Sequence, residues 1–116
     1  MGHLSTHVLD TMNGCPAAGM RVTLYRIDGE ATRVLRELFL DADGRAGGPL
    51  LDDAVFERGR YRLAFDVAGY FRARGVELPE PPFLDRVLLD FGLADDAHYH
   101  VPLLTSPWSY STYRGS

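Results

Sequence analysis

Histidine is the residue type best suited to proton transfer near neutral pH, because its unperturbed pKa of about 6.5 leaves neutral imidazole available there. The chain holds four histidines, His3, His7, His98 and His100. Two of them flank Tyr99, so strand alternation sends His98 and His100 to one face. Arg45 follows Asp43-Gly44, and a guanidinium carries a planar fork of hydrogen-bond donors. His98 and His100 on one face also allow a metal reading with His7 as third ligand, since imidazole binds zinc well.

Each residue also has a plainer reading. A strand histidine is commonly a surface or hydrogen-bonded residue. Arg45 would ordinarily be a solvated turn residue, and Tyr113 and Arg114 a fraying segment. Residue type and spacing leave these alternatives open.

The elements that must position these side chains follow from the turn signals. Asn13-Gly14, Asp28-Gly29, Asp43-Gly44, Gly47-Gly48-Pro49, Gly59 and the stretch 79–82 punctuate the chain at short intervals. Short segments between them predict an all-β sandwich or barrel, with strands over 4–10, 20–28, 33–40, 60–67, 85–91, 98–104 and 109–114. One short helix is expected over 68–74, capped by Gly75 and stopped by Pro79. Tyr61, Leu63, Phe65 and Val67 form one face of their strand, and Val87, Leu89 and Phe91 one face of another. In the first strand Leu4, Thr6 and Val8 oppose Ser5, His7 and Leu9. Near the C-terminus Tyr99, Val101 and Leu103 suit a core, leaving His98, His100, Pro102 and Leu104 outside. An outer face mixing histidine, proline and leucine fits a surface covered by another subunit and serving a ligand.

The 116 residues, 46% hydrophobic and 24% charged, predict one globular domain, 1–116. The net charge of −4 lacks the basic excess that nucleic-acid binding usually shows, so no nucleic-acid partner is expected. Cys15 is the only cysteine, which excludes an intrachain disulfide and fits a reducing compartment. No stretch approaches the ~20 apolar residues of a membrane helix, and no secretory pattern opens the chain. A cytoplasmic protein without membrane contact is expected.

Four collinear motifs then carry a resemblance: His7-Val8-Leu9-Asp10, Asp43-Gly44-Arg45, His100-Val101-Pro102-Leu103-Leu104 and Tyr113-Arg114-Gly115-Ser116. With Gly69-Tyr70-Phe71 and Pro81-Pro82-Phe83, the chain resembles the 5-hydroxyisourate hydrolases of the transthyretin-related family over nearly its whole length. The resemblance implies a transthyretin-like (prealbumin-like) two-sheet β-sandwich with one short α-helix. It also implies a homotetramer, a dimer of dimers whose central channel holds the sites. Thr105 and Trp108 depart from the family pattern and are expected to reshape packing near the site without removing a catalytic group.

The implied reaction is hydrolytic ring opening of 5-hydroxyisourate to 2-oxo-4-hydroxy-4-carboxy-5-ureidoimidazoline, with neither metal nor cofactor. His7, Arg45 and His100 are the implied catalytic residues, and Ser111, Tyr113 and Arg114 the implied substrate contacts. His98 is expected outside direct contact, and His3 to have no catalytic part. The alternatives are a non-enzymatic transthyretin-like carrier of a small ligand, a histidine-liganded metal hydrolase, and an interaction domain pairing through strand edges.

Overall fold

The computed structural model describes residues 2–116. Its elements are β1 (His3–Asp10), β2 (Cys15–Pro16), β3 (Arg21–Asp28), β4 (Ala31–Phe39), β5 (Gly59–Asp66), α1 (Val67–Ala73), β6 (Arg86–Leu93), β7 (His98–Thr105) and β8 (Tyr110–Thr112). They form two four-stranded sheets, ordered β2-β1-β7-β8 and β4-β3-β5-β6. The all-β sandwich with one short helix is as expected.

The alternation read from the sequence sets the core. Leu4, Thr6 and Val8 of β1 and Tyr99, Val101 and Leu103 of β7 are buried. They face Val22 and Leu24 of β3, Tyr61, Leu63 and Phe65 of β5, and Val87 and Leu89 of β6, which are also buried. Thr6 remains satisfied there because its hydroxyl donates to the Val101 carbonyl at 2.8 Å.

Most element ends shift by one or two residues from expectation, and one strand is new. The short β2 was not expected; it pairs Pro16 with Leu9 and Cys15 with Asp10. Val67 begins the helix instead of ending the strand, because the Asp66 carboxylate caps α1 by accepting the Gly69 N–H at 3.1 Å. The last strand stops at Thr112 instead of residue 114, although a single bridge, His100 with Gly115, continues its register.

β1 and β7 pair in parallel, His3 with His98 through Asp10 with Thr105. On its other edge β1 is covered by the segment following β4. Val8 N–H donates to the Gly44 carbonyl at 3.0 Å, and Leu4 N–H to the Leu51 carbonyl at 3.0 Å. That segment brings Arg45 opposite His7 as a bridge.

Candidate active site

The outer face of the β1–β7 sheet assembles the site in two adjoining rows. The first runs from Arg45 to His7 and on to Pro102. The β7–β8 register pairs Leu103 with Thr112 and His100 with Gly115, so the same row ends on Tyr113. The second row runs from Ser5 to His100 and then Gly115. Residues distant in the sequence become neighbours because parallel pairing joins β1 to β7.

Arg45 is set by a tight turn. The Asp41 carboxylate accepts the backbone N–H groups of Asp43 at 2.9 Å and Arg45 at 3.0 Å, while Asp41 N–H donates to the Arg45 carbonyl at 2.8 Å. Gly44 takes the left-handed conformation, φ 71°, which glycine adopts without a Cβ penalty. A Cβ there would lie 2.6 Å from the Val8 carbonyl oxygen, so the turn docks on β1 only with glycine.

His100 is held on two sides. Its Nδ1 lies 2.8 Å from the Ser5 hydroxyl, a hydrogen bond across β1 and β7. Gly115 N–H donates to the His100 carbonyl at 2.8 Å, and a Cβ on Gly115 would come within 2.6 Å of His100 Cδ2. The tail therefore packs directly on the imidazole edge.

The two histidines share the same two influences, burial and the Arg45 charge. Burial lowers the His100 pKa below its ordinary 6.5, and the Arg45 and His7 charges lower it further. His7 is also lowered, by burial and then by Arg45; Asp41, a backbone hydrogen bond to Asp43 and the Asp43 charge oppose the shift without cancelling it. Both rings are thus biased to the neutral form that can accept a proton.

A cavity of about 590 Å³ opens on this face, lined by Arg45, His100, Tyr113, Ser5, His98 and Gly115 among others. His7 is the bridge partner of Arg45 but does not itself line the cavity. Ser111, opposite Leu104 in β8, shares the face but lies outside the lining. Arg114 is not brought to this group. Its guanidinium lies over the Tyr99 ring, 4.2 Å from the centroid, and Nη2 donates to the His98 carbonyl at 3.3 Å.

His98 is exposed and stacks on His3, ring centroids 4.2 Å apart, and both line the cavity. His3 also pairs with Asp53 at 3.3 Å. Among the described residues, no three His, Cys, Asp or Glu side chains form a group able to hold a metal ion. Thr105 and Trp108 lie away from the cavity. Thr105 bonds to the carbonyls of Ser106 and Ser109, and Trp108 stacks on Phe83 at 5.9 Å.

Sequence reasoning put Ser5 on the face of His7 but gave it no task, passed over Asp41, and named Gly115 only within the terminal motif. The Asp41-to-Arg45 spacing is a detectable Asx-turn signal. The contact of Gly115 with His100 needs the strand register and has no local signature.

A transthyretin-type sandwich carrying paired histidines and an arginine on the outer face of one sheet defines the class of protein. The chain belongs to the HIUase/Transthyretin family, whose pattern it matches over residues 4–115. It is 54% identical to 5-hydroxyisourate hydrolase 2 of Rhizobium meliloti over 116 residues, covering 99% of this chain and 97% of that one. The structure of Klebsiella pneumoniae 5-hydroxyisourate hydrolase is similar at TM-score 0.82 and 38% identity, with both chains covered in full (100%). Sea bream transthyretin in complex with thyroxine superposes at TM-score 0.85 with 26% identity, covering 97% of this chain and 93% of that one.

Proposed function

We propose that this chain, as one domain spanning residues 1–116, is a 5-hydroxyisourate hydrolase that opens the substrate ring by adding water. Its 54% identity to a hydrolase across both chains, against 26% to transthyretin, is the observation that carries the enzyme reading over the carrier reading.

In the proposed reaction water adds to a ring carbonyl and the adjoining C–N bond breaks. The carbonyl carbon becomes a carboxyl group, and the departing nitrogen takes a proton. His100 accepts the water proton at the cavity wall. His7, beside Arg45, assists proton delivery to the leaving nitrogen. The Arg45 guanidinium offsets charge on the developing oxyanion and orients the planar ring. Tyr113 closes the cavity by stacking or hydrogen bonding, and Ser111 supports the substrate from the same face. For Arg114, its seat on Tyr99 favours holding the tail in place over contacting substrate. The lowered pKa values of both histidines support a neutral base at pH 7.

The same reading includes a homotetramer in the cytoplasm. Outward-facing Leu104, with exposed Tyr113 on the same sheet face, supports a face that another subunit covers. No helix among the described residues is long and apolar enough to cross a membrane.

The deciding experiment follows the absorbance decay of freshly generated 5-hydroxyisourate with wild type, His7→Ala, Arg45→Ala and His100→Ala. Wild type should accelerate decay far beyond the spontaneous rate, and each variant should lose at least about a hundredfold in kcat/KM. Wild-type turnover in His7→Ala or Arg45→Ala would reject the assignment. Activity should survive chelation, and loss restored by zinc would favour a metal enzyme. Light scattering should give four times the subunit mass.

A further inference from the structure

We infer that Ser5 is a positioning residue: its hydroxyl accepts the Nδ1–H of His100 and so fixes the ring in the tautomer whose Nε2 lone pair is free to take a proton. The inference rests on the catalytic reading of His100 given above and deepens it.

The geometry holds the imidazole at its Nδ1 and along its Cδ2 edge. Ser5 and His100 are register partners on adjacent parallel strands, and Ser5 Oγ lies 2.8 Å from Nδ1. Gly115 covers the Cδ2 edge so closely that a Cβ there would stand 2.6 Å from the ring carbon. The hydrogen bond from Gly115 N–H to the His100 carbonyl holds that contact in place. Nε2 is the ring nitrogen without a protein hydrogen-bond partner among the described residues, and His100 lines the cavity.

The direction of the Ser5 bond follows from what the ring must do. A histidine that takes a proton at Nε2 becomes an imidazolium with N–H groups on both nitrogens. An acceptor at Nδ1 serves the Nδ1–H neutral tautomer and the imidazolium equally, so proton transfer needs no rearrangement of the hydroxyl. A donating hydroxyl would stabilise the opposite tautomer, with Nε2 already protonated, and would oppose the charged ring. Ser5 itself lines the cavity, so its own proton can point into that space. Removing the hydroxyl leaves the ring nitrogen without its partner and lets both neutral tautomers populate.

Nitrogen-15 NMR of the histidine side chains, with kinetics on the same preparations, tests the inference using wild type, Ser5→Ala and Ser5→Thr. Wild-type His100 should report Nδ1–H, and Ser5→Ala a mixture of tautomers. Ser5→Ala should lose roughly tenfold or more in kcat with KM little changed. Ser5→Thr, which keeps a hydroxyl, should recover most of both signals. An Nε2–H tautomer in wild type, or a tautomer untouched by Ser5→Ala, would overturn the inference whatever the kinetics. If the tautomer changes while turnover stays at wild-type level, His100 is not the base, and Ser5 has no part in the reaction.

Discussion

Arg114 and Tyr99 form a cation–π pair, with the guanidinium carbon 4.2 Å from the ring centroid. Tyr99 is itself fixed, since its hydroxyl accepts the backbone N–H groups of Ala94 at 3.1 Å and Asp95 at 3.0 Å. The tail is therefore anchored between two residues that face the cavity: Tyr113 precedes Arg114, and Gly115 follows it against His100.

Replacing Arg114 by alanine should release this anchor. The pair is worth about 0.5–1 kcal/mol at an exposed site, so global stability should fall by no more than that. Misplacing Tyr113 and Gly115 by about an ångström should cost between tenfold and a hundredfold in kcat/KM. Limited proteolysis should cut residues 113–116 faster in Arg114→Ala than in wild type. Arg114→Lys should keep part of the effect, because it retains the charge but not the planar fork. A variant with wild-type turnover would remove the anchoring role.

Two glycines in one loop separate backbone strain from site geometry. Gly44 and Gly47 both take positive φ, 71° and 79°. A Cβ at Gly47 meets nothing within 4 Å, whereas one at Gly44 meets the Val8 carbonyl at 2.6 Å. Gly47→Ala should lose only the conformational cost, about 1–2 kcal/mol, and keep its turnover. Gly44→Ala should lose more stability and also displace Arg45 from His7, with turnover falling at least about tenfold. Thermal unfolding and kcat/KM measured on both variants check this contrast.

How far the sequence went can be judged from these same residues. Alternation placed Ser5 and His7, and likewise His100, Pro102 and Leu104, on the correct faces, because a strand's side chains have a period of two. Side-chain period does not encode which strands lie adjacent. That His100 would stand beside Ser5, with His7 next to Pro102, depends on the parallel β1–β7 pairing. The resemblance supplied the functional grouping, but it included Arg114 among substrate contacts; alternation within the tail turns that side chain towards Tyr99 instead. Val67 was misread as strand because apolar alternation continues through it, while the Asp66 cap that starts α1 acts over three residues.

The pH response should follow the histidine pair. Both folded-state pKa values lie below 6.5, lowered by burial and by Arg45. The neutral, active form therefore persists below pH 6.5, and the acid limb of kcat/KM should lie under that value. Residual activity of Arg45→Ala should show this limb moved up towards pH 6.5, since a repelling charge is gone while burial remains. Folding carries the same sign. The unfolded chain binds more protons below pH 6.5, so these two groups make stability fall as pH drops from 6.5 through the folded values. An acid limb at or above pH 6.5 in wild type would contradict the electrostatics.

Away from the site, a buried carboxylate ties β1 to α1. Asp10 is fully buried. It accepts the Tyr70 hydroxyl at 2.8 Å, the Asn13 backbone N–H at 2.9 Å and the Asn13 side-chain amide at 2.7 Å. Burial pushes its pKa up, but these bonds, with one from the Met12 backbone, outweigh burial and hold it below 3.8. Burial and the neighbouring Asp10 carboxylate keep the Tyr70 hydroxyl protonated and therefore a donor. With the folded pKa below the unfolded one, the Asp10 contribution is complete above about pH 3.8 and is lost as pH falls through the folded value. Tyr70→Phe should cost about 1–3 kcal/mol, because a buried carboxylate oxygen loses a donor. Its acid-unfolding midpoint should rise relative to wild type, while turnover at pH 7 stays unchanged. Circular dichroism across an acid titration, run on both proteins, measures the difference; coincident midpoints would show that Tyr70 does not sustain the charged carboxylate.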